Sequence, residues 1–377
     1  MPLLITGVAG VAGYNAFRHF RERYGDQVIG TRRTDNWPLQ QAGIVACDCD
    51  DRDSLARLFD QHQFASVLNA EGTCKLKSCE LDPRMAKRIN IDSVTTLLDV
   101  IHGTSTRLVH LSIDLVFSGT RGGRHVEIDE TDPVTIYGKT MAEAERILLG
   151  EHSKPRPVVA VYKPAGNCEL QDKLNVDTNR KAGIPLHNSH TATTGRGFGA
   201  AILRISLPMG ISFNGHAGAI DWIQSRFKKG KPATLYYDEL RTPTYTDCLS
   251  PLVATVLARK GITGLYHAGG LRRLSLFEIA QIVNRVGGYD PHLLHGCLRI
   301  EAGPLPPRAG DVTLDSTRLA RALGYDPFDP WPLDDDHVPT HRDWHHEGHR
   351  GSPALLAEVL YRNPGQKHRN TLAGNPL

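Results

Sequence analysis

Two features of this chain carry residue types at spacings that could do chemistry. The first is Tyr137, which opens the run Tyr137-Gly138-Lys139-Thr140-Met141. A phenol can give a proton to a carbonyl oxygen that is gaining charge. Its free pKa is about 10, and a cation at i+4, on the same helix face, would lower it. Here i+4 is Met141, and Lys139 at i+2 falls on roughly the opposite side of a helix. Tyr137 should therefore titrate near its free value. The second feature is Thr6-Gly7-Val8-Ala9-Gly10-Val11-Ala12-Gly13. The spacing Gly-x-x-Gly-x-x-Gly, after an apolar run and before a helical pattern, fits a turn that brings backbone N–H groups to a pyrophosphate.

In that loop Gly7 and Gly10 allow a tight turn and close approach, and Gly13 lets helix and strand pack. The expected cofactor contacts are Gly7, Val8, Gly10, Val11 and Gly13, with the helix N-terminus facing the phosphates. The second strand ends Gly30-Thr31-Arg32-Arg33. Arginine suits a 2′-phosphate where an acid would suit a ribose diol. Arg32 and Arg33 thus point to NADP, with NAD as the alternative. Asp48 is either an acceptor for the adenine amino group or the N-cap of the helix starting near Asp53.

The elements that must position these groups alternate. Apolar runs predict strands at 3–6, 27–31, 43–47, 66–70 and 107–112. Helical patterns fall at 12–24, 53–61, 83–102 and 136–149. This order predicts an α/β, Rossmann-like doubly wound parallel sheet over residues 1–150. Residues 151–200, broken by Pro155, Pro157, Pro164 and Pro185, read as an insertion. A strand resumes at 200–206, followed by helices at 219–229, 252–259, 276–286, 316–323 and 353–361. Residues 201–331 thus hold the remaining sheet interleaved with a smaller C-terminal α/β substrate domain. A polar, His-rich tail occupies 332–377.

Composition narrows the function classes. The chain has 377 residues, 44 basic against 41 acidic, and a net charge of +3. That balance argues against a nucleic-acid partner or an anionic membrane. No apolar run approaches the roughly 18 residues of a membrane span, and Met1-Pro2-Leu3-Leu4-Ile5 runs into a strand rather than a leader. Seven cysteines with no Cys-x-x-Cys pair read as reduced thiols in a cytoplasm.

A resemblance then becomes specific. His110-Leu111-Ser112-Ile113-Asp114-Leu115-Val116-Phe117-Ser118-Gly119, Glu130-Thr131-Asp132-Pro133 and Tyr137-Gly138-Lys139-Thr140 occur in order. So do Arg241-Thr242-Pro243-Thr244-Tyr245-Thr246-Asp247, Gly264-Leu265-Tyr266-His267-Ala268-Gly269-Gly270, and Pro307-Arg308 leading to Leu314-Asp315. The set resembles the dTDP-4-dehydrorhamnose reductase branch of the extended short-chain dehydrogenases/reductases, over about residues 3–331. The resemblance implies an NADP domain, a nucleotide-sugar substrate, and a tyrosine that protonates a sugar ketone while the nicotinamide delivers hydride. It also implies a lysine four residues on and a Thr or Ser on the fifth strand.

Tyr137 matches that tyrosine, whereas Met141 replaces the lysine and Ile113 the threonine. Tyr137, Ser112 and Asp114 form the candidate catalytic set, although Ser112 should face the other side of the sheet from Ile113. Asn90 resembles the branch's structural asparagine. Asn69 and Ala70 should lie by the cofactor ribose, and Glu71 departs from the small residue favoured there. By the same resemblance Arg241, Thr242 and Arg308 face a nucleotide diphosphate; Asn214 opens a glycine-rich loop before a helix, Asn214-Gly215-His216-Ala217-Gly218, that would cap the sugar site. The tail histidines His337, His341, His345, His346 and His349 read as a solvated segment, with no metal assigned.

Two functions follow. One is an NADP-linked reductase of a nucleotide-activated keto-sugar. The other is a catalytically degenerate binding or regulatory protein, a use for which the branch has precedent in the regulatory subunit of methionine adenosyltransferase. The expected partner is a small nucleotide-sugar, and a homodimer is compatible with the sequence.

Overall fold

On the first strand Leu3 and Ile5 point to one side and Leu4 to the other, because successive strand residues alternate faces. All three are buried, so both faces must be covered. The computed structural model describes residues 2–151, 199–303 and 306–361. Its core is a seven-stranded sheet whose neighbouring strands all run parallel. In chain order these strands are β1 (Leu3–Thr6), β2 (Val28–Arg32), β3 (Ile44–Ala46), β4 (Ser66–Asn69), β5 (Arg107–Ile113), β6 (Ala201–Ile205) and β11 (Gly264–Ala268). Across the sheet the order is β11-β6-β5-β4-β1-β2-β3.

Leu3, Ile5, Val28, Leu68, Val109 and Leu203 pack under Phe17 and Phe20 of α1 (Val11–Tyr24) and Leu252, Val253 and Val256 of α8 (Thr246–Ala258). On the other face Leu4, Val67, Leu108 and Ile202 meet α2 (Arg52–His62), α5 (Ser93–Ile101) and α6 (Ile136–Leu148). This is the expected doubly wound arrangement, and six of its strands fall within a residue or two of the predicted runs.

Two of the predicted helices differ from expectation. The single helix predicted over 83–102 is α4 (Pro83–Lys87), a π turn at Arg88–Asp92, and α5. It is preceded by the short α3 (Leu76–Leu81). Asn90 explains the turn. Its amide oxygen accepts the Thr73 N–H at 2.8 Å and its nitrogen donates to the Thr140 hydroxyl at 2.8 Å, tying this helix to the loop after β4 and to α6. The predicted helix at 252–259 begins earlier, at Thr246, with Pro251 inside it.

The C-terminal pieces form three small two-stranded pairings. These are β7 (Pro208–Met209) with β10 (Thr244–Tyr245), β9 (Leu240–Arg241) with β12 (Leu274–Ser275), and β8 (Ala233–Tyr236) with β13 (Leu294–Cys297). They pack with α7 (Ala219–Lys228), α9 (Leu276–Val286), α10 (Thr317–Leu323) and α11 (Pro353–Leu360).

The described segment after Trp331 is mostly exposed, as expected, but is anchored to the core at several points. Trp344 and His345 are buried, Arg285 stacks over Trp344 at 4.1 Å, and Gln281 bonds His345 at 3.1 Å. Leu356, Val359 and Leu360 of α11 join the core. Apolar spacing in α11 outweighs the polar composition around it. The predicted insertion at 151–200 lies almost wholly outside the described residues, as does the chain after Tyr361.

Candidate active site

The glycine loop is shaped by contact at two of its three glycines. Gly7 has φ +68°, and a Cβ there would lie 2.4 Å from the Ala70 carbonyl oxygen. A Cβ on Gly13 would lie 2.4 Å from the Gly7 oxygen, so α1 can pack on the turn only without a side chain. Gly10 caps α1 and makes no side-chain cap bond to the N–H groups of that end. Its nearest atom to an added Cβ is at 3.5 Å. Val8 and Val11 are buried, so what they can offer a ligand is backbone.

At the end of β2 both arginines already have protein partners. Arg32 donates to the Leu39 carbonyl at 2.7 Å and the Arg33 carbonyl at 3.1 Å. Arg33 is held by Asp50 at 2.6 Å and by Asp48 and Glu71 at 3.3 Å each. Those three carboxylates hold its guanidinium even more firmly charged than usual against the cost of burial. Asp48 accepts from the backbone and hydroxyl of Thr34. It does not cap α2; Asp51 does, accepting the Ser54 N–H at 3.2 Å. Asn69 is turned into the sheet, accepting the Thr6 hydroxyl at 2.6 Å and bonding His110 at 3.0 Å. Beside it the carbonyl of Ala70 meets Gly7, and Glu71 is almost fully buried.

Tyr137 sits in the first turn of α6. Thr135 caps that helix through the Gly138 N–H at 2.9 Å, and Glu80 accepts the Ile136 N–H at 2.7 Å. A Cβ on Gly138 would lie 2.1 Å from the Leu115 oxygen, so glycine lets α6 close on the end of β5. Tyr137 is buried among Cys79, Leu115, Met141 and Ile113. Burial pushes its phenol well above 10, and Cys74, Asp114 and Cys79 act in the same direction. The sequence expectation of an ordinary value fails because a missing cation leaves desolvation unopposed, apart from the smaller pull of Arg241. Lys139 is exposed, as its spacing requires.

Asp114 accepts the Ser206 hydroxyl at 2.6 Å and lies 3.8 Å from Arg241. Ser112 does not join Tyr137. It donates to Glu145 of α6, which Arg204 grips with two nitrogens at 2.8 and 2.7 Å. Strand alternation sends Ser112 to that face.

The expected substrate residues divide. Arg241 is buried, bonded to Glu239 at 2.8 Å, with its Nη1 making no hydrogen bond among the described residues. Arg308 is 3.9 Å from Glu239 and stacks over Tyr236 at 4.9 Å. Glu239 therefore joins the two arginines, a role sequence reasoning missed; the acidic pair Asp238-Glu239 just before Arg241 was the available signal. Burial pushes the Glu239 carboxyl up, and the arginines oppose it. Thr242 donates its N–H to Ser206 at 3.1 Å, and its hydroxyl accepts from the Leu314 N–H. Asn214 is exposed and closes its own turn by accepting the His216 N–H at 2.9 Å.

Tyr137, Asp114 and Arg241 thus meet near the end of β5, and the glycine loop lies at the ends of β1 and β4. Residues 1–160 match the family model described as the RmlD substrate binding domain. Over those residues the chain is RmlD-like. Among curated proteins, the RmlD-like chain is 22% identical over 326 residues to the probable low-salt glycan biosynthesis reductase Agl14 of Haloferax volcanii, covering 86% of this chain and 93% of that one. It is 25% identical over 331 residues to a dTDP-4-keto-6-deoxy-D-glucose reductase of Streptomyces niveus, covering 87% and 93%. Among solved structures, dTDP-4-dehydrorhamnose reductase from Bacillus anthracis in complex with NADP superposes with a TM-score of 0.63 at 16% identity, covering 87% and 95%. That likeness shows a shared Rossmann-like fold. Among the described residues no helix is long and apolar enough to cross a membrane, and no three His, Cys, Asp or Glu side chains gather as metal ligands.

Proposed function

We propose that this RmlD-like chain is an NADP-linked reductase of a nucleotide-activated keto-sugar, with NAD as the alternative cofactor. The observation that carries the reading is the seat of Tyr137: a capped first helical turn, closed onto β5 by Gly138, beside Asp114 and Arg241. The reductase names of the relatives support the substrate class. The backbone of Gly7, Val8, Gly10, Val11 and Gly13 would hold the pyrophosphate, with Asn69 and Ala70 near the adjoining ribose. Arg241 and Arg308 would face the nucleotide diphosphate of the substrate, with Asn214 over the sugar.

A bound reduced nicotinamide would supply the hydride. Tyr137 supplies the proton to the carbonyl oxygen and regains it from solvent. A phenol held above its ordinary pKa stays protonated at neutral pH, which suits proton donation. It disfavours the reverse direction, where a phenolate must take a proton.

Met141 and Ile113 favour a second reading. They leave Tyr137 in an apolar seat with neither the lysine nor the threonine of the branch, as a protein that binds cofactor or sugar nucleotide without turnover would have.

Single-turnover mixing of stoichiometric protein and NADPH with a panel of nucleotide 4-keto-sugars separates the two. Loss of nicotinamide absorbance with one sugar supports the reductase. A fluorescence change with no absorbance loss across the panel supports the binding protein. Tyr137→Phe should abolish turnover and leave NADPH affinity nearly unchanged; undiminished turnover would remove Tyr137 from the mechanism.

A further inference from the structure

Glu71 leaves β4 at the sheet's C-terminal edge, yet its carboxylate reaches Arg33 at the end of β2, 3.3 Å away. β1 lies between those strands. The side chain therefore crosses the end of β1 beneath the glycine loop, where a Cβ on Gly7 would lie 2.6 Å from the Glu71 nitrogen. Glu71 is only 3% exposed, and its Oε2 makes no hydrogen bond of standard geometry among the described residues. Arg33, twenty residues past Gly13, stands where an arginine accommodates the 2′-phosphate of NADP. With Asp48 and Asp50 also on it, Arg33 is more than neutralised before any ligand arrives.

We infer that Glu71 sets coenzyme selectivity: its carboxylate places a third negative charge on Arg33 beside Asp48 and Asp50, which opposes a 2′-phosphate there, and removing that charge favours one. The inference rests on the proposed dinucleotide site and adds a residue that governs which dinucleotide the site takes. Asp48 and Asp50 are partly exposed and keep water on one side, whereas Glu71 is enclosed. Burial, outweighing Arg33, raises its carboxyl to about 7.

The charged and titratable groups facing it are Arg33 just after β2 and Cys47, Cys49 and Asp50 from the segment after β3, with Asp48 on the far side of Arg33 and the exposed Asp51 beside Cys47. Arg57 of α2 and Arg88 of the π turn lie behind them. The glycine loop contributes none. Preference for NADPH over NADH should therefore grow as pH falls through about 7. The 2′-phosphate itself titrates near about 6 and pulls the other way, since its dianion forms as pH rises.

The test is equilibrium binding of NADPH and NADH, followed by nicotinamide fluorescence between pH 6 and 9, in wild type, Glu71→Gln and Glu71→Ala. At pH 8 either variant should raise the NADPH-to-NADH affinity ratio about tenfold or more, the scale of one short-range like charge removed. NADH affinity should stay nearly constant, and the gain should shrink toward pH 6. If wild type binds both dinucleotides and the ratio is the same in the variants, the selectivity role of Glu71 is wrong and the dinucleotide site stands. If wild type binds neither, the dinucleotide site itself falls, and this inference with it. Even if neither variant folds, the wild-type ratio between pH 7 and 9, where the 2′-phosphate is already a dianion, decides the matter: it must fall as pH rises, and a flat or rising ratio overturns the inference.

Discussion

At the residue scale the chemistry turns on what surrounds two ionisable groups. Met141 lies one turn after Tyr137 in the same buried cluster. Met141→Lys places an ammonium on that face, lowers the phenol pKa by favouring its charged form, and should speed single-turnover reduction severalfold, at most about tenfold per pKa unit recovered. The wild-type rate should stay flat from pH 6 to 9, because the phenol keeps its proton throughout. A wild-type alkaline limb below pH 9, or a slower Met141→Lys, would contradict this account of the seat.

Glu71 gives a stability test as well. Its folded pKa of about 7 lies above the ordinary 4.5, so the folded state binds the proton more tightly. Its contribution is then fully present below about 4.5 and lost as pH rises through about 7. Glu71→Gln should match wild type in urea at acid pH and exceed it by roughly 2–4 kcal/mol at pH 8. A difference independent of pH would show that the carboxyl is not strained by burial.

At the element scale α6 does two jobs on one face, since residues four apart are neighbours. Its first turn seats Tyr137, and two turns on Glu145 holds Arg204 of β6, which in turn meets His267 of β11 at 3.2 Å. Glu145→Ala leaves a buried guanidinium unpaired and should cost about 3–5 kcal/mol in urea unfolding. Replacing Arg204 by Met in the same chain should recover part of it.

How far such elements were legible follows from where their causes lie. α9 was read to the residue because Ser275 and Glu278 form a local capping box. The π turn was not, because Asn90 makes it by bonding Thr73 and Thr140, 17 and 50 positions away. The N-terminus of α8 was hidden behind Pro251, which locally reads as a start. The glycine loop and Tyr137 were legible as types at fixed spacing. The ring of carboxylates on Arg33 was not, since Glu71 is 38 positions distant.

At the scale of the whole molecule the C-terminal segment is part of the core. Val359 of α11 accepts the Tyr245 hydroxyl at 3.1 Å and the Trp331 indole N–H at 2.9 Å, joining α11 to β10 and to the segment after α10. Leu356 beside it is fully buried. Leu356→Ala should cost about 2–5 kcal/mol, as a core truncation does. A loss near zero would mean that α11 is held by its backbone clasp alone.

The strand order also has a history in time. β5 is complete at Ile113, while its partner β6 begins only at Ala201. A ribosome adding about 5–20 residues per second needs roughly 4–18 s to cover that gap. Throughout that interval five paired strands end in an open, apolar margin, the kind of edge that captures a second strand from another chain. Nascent chains halted between the two strands are therefore the ones expected to clump on polysomes, and slowing synthesis there would worsen the yield of folded protein.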